Sequence, residues 1–377
     1  MVIHPDCRHY HSDRPCRPHK LRQRICATCV EYDPVRTEVL IVKLDAIGDV
    51  LRTTSLLQPL KTVFPNSRIT WLTKANAADL LLHNPRIDCV LPFDASALLV
   101  LQTKQFDLVI NPDTSETACR LASLARARER RGFWLGEDDG ICWSNAAAQS
   151  WYEMGLDDRR KQSNRRTYQS ILLDLCGLPA GEHPIFWHVS GEEGAFARRF
   201  EETHGVPPRP ALRVGLNTGA GGRWTWKKWT IAGFEGLIHR VLEASADTRV
   251  LLYGGPEEID RNARLRQIDP LRVVDTGAGN TLRQFGALVD LCDVMVTGDT
   301  LGLHVATALG KHVVALFGPT SSAEIELYGR GVKIAPEGME CLCCYLNDCE
   351  VRPACMERIG VEEVARAVLA QPAFPLR

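Results

Sequence analysis

Three polar turns in this 377-residue sequence carry chemistry-bearing residues in the right order. Asp49 follows an apolar run, VLIVKL (39–44), and the tight turn Asp45-Ala-Ile-Gly48. Asp299 and Thr300 follow another run, VMVT (294–297), and precede a helical segment that leads through Gly310 into VVALF. Strand, polar turn and helix start, in that sequence, put carboxylates and backbone N–H groups at the tip of a parallel strand, where α/β sheets bind phosphate. Asp49 has two readings, an ordinary N-cap or a carboxylate facing the same cleft as Asp299. The third turn, Gly219-Ala220-Gly221-Gly222, runs into Arg223, Lys227 and Lys228 among Trp224, Trp226 and Trp229. Exposed amides beside cations suit a diphosphate, and a glycine turn over a packed Trp cluster is the plainer alternative. Glu257 and Glu258, after VLLYGG (250–255) and Pro256, offer carboxylates to ribose hydroxyls or serve as ordinary acids of a first helical turn.

Cysteine supplies a second chemistry. Of fourteen cysteines, Cys7, Cys16, Cys26 and Cys29 form C-x8-C-x9-C-x2-C in a His-, Arg- and Pro-rich opening segment without apolar periodicity. Cys341, Cys344, Cys349 and Cys355, with Cys343 extra, form C-x2-C-x4-C-x5-C near the end. Four thiolates suit structural zinc, iron or an iron–sulfur cluster, and leave no open position for catalysis. The alternative for the first set is a disordered arm with incidental cysteines. Cys89, Cys119, Cys142, Cys176 and Cys292 fall singly in apolar or helical contexts and read as core thiols.

These residues need elements to position them. RITWLT (68–73), CVLPF (89–93), LVINP (108–112) and RRGFW (130–134) read as strands after VLIVKL, with helices over 50–64, 74–83, 95–104 and 115–128. Residues 136–161 break this rhythm, 162–176 read as helical again, and Arg159, Arg160, Lys161, Arg165 and Arg166 form a basic flank. A second alternating series runs through strands starting at 213, 250, 272, 294 and 313, with helices over about 230–245, 257–268, 281–290 and 302–310. A helix over 191–204 lies between Pro/Gly-rich stretches, and another closes the chain at 361–369. The expected organisation is a cysteine-rich segment (1–36), one Rossmann-like domain (37–190) and a second (191–377) that carries the tail 341–355. No G-x-G-x-x-G opens either half, which argues against a conventional dinucleotide dehydrogenase.

Composition narrows the function. Apolar residues at 45% and charged residues at 24% describe an ordinary soluble globular chain. A net charge of −1 gives no electrostatic case for nucleic acid or an acidic membrane as the main partner. No apolar run is long enough to span a bilayer and the start is not a signal peptide, so the expected location is the cytoplasm, with at most peripheral contact at the inner face of the inner membrane.

Several pieces together resemble the family-9 glycosyltransferases, the ADP-heptose:lipopolysaccharide heptosyltransferases. They are IVKLDAIGDVLRTTSLL (41–57), RWTWKKW (223–229), TGDTLGLHVATALGKHVVALFGPTS (297–321) and the cysteine-rich tail, within a resemblance covering roughly 38–370. It implies a GT-B fold, two Rossmann-like doubly wound domains facing a cleft, with the acceptor on the first and the nucleotide sugar on the second. It further implies an inverting transfer from ADP-heptose to a lipopolysaccharide precursor or other glycan, with no catalytic metal. Asp49 matches the general base and Lys227 the cation that stabilises the departing diphosphate. Asp299, Thr300 and the backbone at Leu301 and Gly302 match the donor-binding turn, and His304 a histidine five residues after its Asp. Thr218 matches a phosphate contact and Glu257 the ribose contact, and Gly219, from the glycine turn, is expected beside them in donor binding. Two alternatives stay open: the same donor chemistry on a surface-protein acceptor, and a non-enzymatic, metal-stabilised binding module.

Overall fold

A computed structural model describes residues 2–207 and 212–371. Part of the Pro/Gly-rich stretch at 205–210 and the side chains of Arg223 and Trp224 lie outside the described set. The chain builds two sheets of six strands each. The first comprises β1 (Thr37–Val42), β2 (Ser67–Thr73), β3 (Cys89–Pro92), β4 (Gln105–Asn111), β5 (Arg126–Leu135) and β6 (Ile141–Trp143), in the order β3-β2-β1-β4-β5-β6. The second comprises β7 (Arg213–Asn217), β8 (Arg249–Tyr253), β9 (Val273–Asp275), β10 (Val294–Gly298), β11 (His312–Leu316) and β12 (Gly331–Ile334), in the order β12-β11-β10-β7-β8-β9. All pairings are parallel except β5 with β6, where Phe133 faces Trp143.

The central strands are buried on both faces, which is why they read as unbroken apolar runs and not as alternating ones. All five residues of β10 are buried between β7 and β11, with Val294 opposite both Val214 and His312. In each sheet the strand order reverses at the centre, between β1 and β4 and between β7 and β10. Ligands of doubly wound sheets lie outside the carboxyl ends of the strands at this reversal. The turns carrying Asp49, Gly219 and Asp299 all leave from those ends. A continuous apolar cluster from Ile41 and Leu56 through Leu172 and Trp187 to Ala287 and Leu303 joins the two sheets. The helix Gly191–Thr203 lies against the helix Leu282–Val289, where Arg283 Nε meets Glu193 Oε1 at 2.7 Å.

Local departures from the sequence expectations have identifiable causes. The helix expected over 50–64 starts earlier, at Ile47, and splits into Ile47–Thr53, a 3₁₀ turn Thr54–Leu56 and Leu57–Val63. Thr53 and Thr54 hydroxyls bond back to the carbonyls of Asp49 (2.7 Å) and Leu51 (2.6 Å), and Pro59 withholds an N–H from the helical ladder. Asp49 therefore sits inside the first turn and not at the cap, which is Ala46. The helix expected to Arg128 ends at Leu124, and Arg126–Arg128 open β5. Arg130, on that strand, donates to the helix-end carbonyls of Ala122 (3.0 Å) and Ala125 (2.8 Å). Residues 136–161 hold β6 and a helix, Ala146–Leu156, capped by Asn145. Of the single cysteines, Cys119, Cys176 and Cys292 are buried, whereas Cys89 is exposed and Cys142 half-buried.

Candidate active site

The carboxyl ends of the two sheets open into a shared cleft of about 1020 Å³. Asp49, on the helix that follows β1, lines it from one side. Arg52, three residues on and therefore on the same helical face, donates from Nη1 to Asp49 Oδ1 at 3.1 Å. The buried guanidinium lies 4.0 Å above the Tyr168 ring, and its Nη2 donates to the carbonyl of Glu324 at 2.8 Å. Lys43, buried at the β1 tip, is ion-paired with Asp113 at the end of β4. Burial pushes the Asp49 carboxyl up, but Lys43, Arg52 and His304 outweigh it and hold it below the ordinary carboxylate range. Burial likewise disfavours the Lys43 ammonium, but the nearby carboxylates of Asp113 and Asp49 outweigh it and keep the ammonium charged. Asp49 is thus an ionised acceptor at neutral pH, one-third exposed to the cleft.

The opposite wall comes from the second sheet. Lys227 Nζ lies 3.0 Å from Asp299 Oδ2 and 3.4 Å from its carbonyl oxygen. Burial raises the Asp299 carboxyl, but Lys227, His304 and Arg52 prevail and lower it. Thr300 caps the helix Leu301–Ala308, and its hydroxyl meets Asn217 Nδ2 at 2.8 Å and Thr297 Oγ1 at 3.1 Å. Gly302 is dictated by that packing, since a Cβ there would lie 2.8 Å from Asn217 Nδ2. The first N–H groups of this helix have no partner within it, which suits them to an anion.

The two walls touch. A Cβ on Gly48 would lie 2.8 Å from His304 Cδ2, so the turn before Asp49 accommodates only glycine without displacing the histidine. His304 Nε2 is 4.0 Å from Asp299 Oδ1. Burial, with Arg52 adding, pushes the imidazole down to about 4 despite Asp299 and Asp49, so it is neutral at pH 7. The consequence for stability has a definite sign. As pH falls from 6.5 towards 4, the unfolded chain binds a proton at this position that the folded chain refuses, and stability is lost in that window. His304→Gln should flatten the fall of Tm between about pH 6.5 and 4.5. Asp49 and Asp299, with depressed values, lose their contributions only at lower pH. An unchanged slope in the variant would remove His304 as the cause.

Gly219 lines the cleft beside Ala220 and Gly221. Thr218 does not line it; its buried hydroxyl is committed to Asn262 Oδ1 at 2.6 Å and the Tyr253 carbonyl at 3.2 Å. Of the two glutamates, Glu257 lies outside the lining and is half exposed. Glu258 is the one that faces in, buried, with Lys228 Nζ 2.8 Å away and the Gly255 N–H donating at 2.9 Å. Asp49, Lys227, Gly219, Asp299, Thr300, Leu301, Gly302 and His304 therefore meet in one cleft, and Thr218 and Glu257 stand back from it.

Sequence reasoning did not single out Arg52, Tyr168, Glu324 or Tyr345 for this cleft. Arg52 was findable from its three-residue offset to Asp49. Tyr345 was not, because it lies in the cysteine tail. There its N–H donates to the Pro319 carbonyl at 2.8 Å, and its hydroxyl lies 3.2 Å from Glu324 Oε1. Lys161, from the basic flank, sits 5.2 Å from the Tyr345 ring.

The cysteine sets depart from the expected tetrahedral ion sites. Among the described residues, no three His, Cys, Asp or Glu side chains converge as ligands to a single metal ion. The tail cysteines are nevertheless neighbours. Burial pushes the Cys355 thiol up to about 11, and Cys344, Cys349 and Cys341 lie near enough to add to that rise.

Residues 100–354 match the family model described as glycosyltransferase family 9 (heptosyltransferase). The lipopolysaccharide core heptosyltransferase OpsX of Haemophilus influenzae is 24% identical over 298 residues, covering 74% of this chain and 78% of that protein. Among solved structures, the family-9 glycosyl transferase of Veillonella parvula superposes with a TM-score of 0.73 at 19% identity, over 88% of this chain and 96% of that one. The E. coli heptosyltransferase WaaC, solved with ADP-2-deoxy-2-fluoro heptose, gives 0.57 at 18% identity, over 87% and 98%. These two structures share the GT-B arrangement of sheets.

Proposed function

The chain belongs to glycosyltransferase family 9 and is a glycosyltransferase, and from this premise we propose that it moves a heptose from ADP-heptose to a hydroxyl of a lipopolysaccharide-core acceptor. The observation that carries this reading is the meeting, in one cleft, of an ionised Asp49 on the first sheet and the Lys227–Asp299 pair on the second. The ADP-sugar analogue in the E. coli relative and the core acceptor named for the Haemophilus relative support the choice of substrates.

In this reading residues 37–190 carry the acceptor and 191–377 the donor. The acceptor oxygen attacks the sugar C1 on the face opposite the diphosphate. The new C–O bond forms as the C1–O bond to the β-phosphate breaks, and its electron pair leaves with ADP. Asp49 takes the hydroxyl proton. Lys227 and the N–H groups at Leu301 and Gly302 face the charge that develops on the departing diphosphate. Glu257 is the residue the family resemblance matches to the ribose; since Glu258 lines the cleft and Glu257 does not, we assign the ribose hydroxyls to the Glu257–Glu258 turn, with Glu258 as the nearer carboxylate. Asp299 fixes Lys227 and offers an oxygen to the sugar. The cysteine sets take no part in the chemistry. Among the described residues no helix is long and apolar enough to cross a membrane, and we place the reaction in the cytoplasm, at the inner face of the membrane that holds the acceptor's lipid.

Thermal stability against a panel of nucleotide sugars tests the donor. A ligand at about 100 times its Kd adds roughly 2.7 kcal/mol, a readily visible rise in Tm. ADP-heptose and ADP should both raise the Tm, while UDP-glucose and GDP-mannose leave it in place. A shift with a uridine or guanosine sugar instead would keep the transferase chemistry and overturn the heptose donor.

A further inference from the structure

The opening segment is folded without a core. Within residues 2–36 only Pro18 is buried, and none of these residues joins the apolar clusters of the two sheets. Val2, Ile3, Leu21, Ile25 and Val30 are all at least half exposed. A segment of this length with a single buried residue lacks the usual means of offsetting the entropy of ordering its backbone. Yet it has defined structure: a helix Arg17–Arg22, a turn Cys26–Thr28 and a bridge between Cys7 and Pro34. Its edges are tied to the first sheet, where Arg68 Nη2 donates to the Cys7 carbonyl at 2.9 Å and Arg8 reaches the Ser67 carbonyl at 3.0 Å.

What the segment surrounds is a cavity of about 620 Å³, and Cys7, Cys16, Cys26 and Cys29 all line it. All four are free thiols, partly buried. A single zinc ion would draw four sulfurs to about 2.3 Å from one point. Here the thiols stand around a space, and no three ligating side chains of the described residues converge on a single-ion position. A polynuclear cluster has the opposite requirement. Each iron of a [4Fe–4S] core takes one cysteine, so the sulfurs must stand apart around a multi-atom body. The tail cysteines line none of this cavity.

We propose that the opening segment binds a [4Fe–4S]-type cluster through Cys7, Cys16, Cys26 and Cys29, each thiol losing its proton to form one sulfur–iron bond. The cluster is the missing core of the segment. Folding of residues 2–36 onto the start of β2 is then coupled to cluster binding.

The test uses the full chain, purified without oxygen or incubated anaerobically with equal amounts of ferrous and ferric iron and with sulfide. It should carry about four irons and about four acid-labile sulfides, with a broad visible absorption band. The band and the sulfide should disappear in a Cys26→Ser/Cys29→Ser variant and persist in Cys341→Ser/Cys344→Ser. Zinc without labile sulfide, a single iron without sulfide, or uptake of neither metal nor sulfide would each overturn the proposal. So would a chromophore lost with the tail cysteines and kept without Cys26 and Cys29. The iron and sulfide content of the unaltered chain decides the matter even if a variant misfolds.

Discussion

Asp49→Asn should lower kcat for glycosyl transfer by roughly 10²–10⁴-fold, the usual loss on removing a positioned base, while donor affinity stays within about twofold, because the substitution keeps an acceptor for Arg52. The amide matches the carboxylate in shape, so the 3.1 Å contact from Arg52 and the cation–ring stack on Tyr168 remain available. What disappears is the capacity to hold a proton. Asp49 is also held below the ordinary carboxylate range by Lys43, Arg52 and His304. The acid limb of kcat/KM should therefore lie below that range, and Lys43→Met should move it upward. The measurement is a radiolabelled or coupled ADP-release assay across pH, paired with ADP-heptose titration by thermal shift. Transfer at the original rate in Asp49→Asn would dismiss the base assignment, whatever happened to binding.

The second large effect is on the leaving side. Lys227→Ala removes the cation beside Asp299 and should cost roughly 10²–10³-fold in kcat, as loss of one preorganised charge-stabilising group does. The donor KM should rise as well, because the ground-state diphosphate is already anionic. Asp299 then loses its largest stabilising partner, and its carboxyl should rise towards ordinary values. Lys227→Arg keeps the charge and should recover part of the binding but less of kcat, since a planar fork does not reproduce an ammonium 3.0 Å from Asp299 Oδ2. Steady-state kinetics with donor and acceptor varied separately decides the issue. A change in acceptor KM alone would place Lys227 on the wrong wall.

The sheets were legible because their central strands are buried on both faces and so stand out as unbroken apolar runs. The turns after β1, β7 and β10 were legible for the same reason: polar residues at the ends of such runs have few other places to be. Less local features escaped. Nothing periodic marks β12, whose residues Gly331–Ile334 are mostly half or fully exposed. Helix breaks at Thr53 and Thr54 depend on hydroxyls turning back to their own backbone, a choice that propensity alone does not dictate. Which of Glu257 and Glu258 lines the cleft is a one-residue question that composition cannot answer. Glu324 and Tyr345 reach the cleft through the chain path after β11, far in sequence from Asp49.

That path holds one atom with wide consequences. The carbonyl oxygen of Glu324, in the second half of the chain, accepts from Arg52 Nη2 at 2.8 Å and from the Tyr168 N–H at 2.9 Å, both in the first half. The guanidinium that grips Asp49 is thus seated on the other half's backbone, where side-chain replacement cannot reach it. The halves are not interchangeable parts. A hybrid joining this first half to a relative's second half keeps Arg52 seated against Asp49 only if the incoming loop brings a carbonyl to the same spot. In recombination among such enzymes, the natural unit of exchange would be the second half with its post-β11 loop and cysteine tail intact.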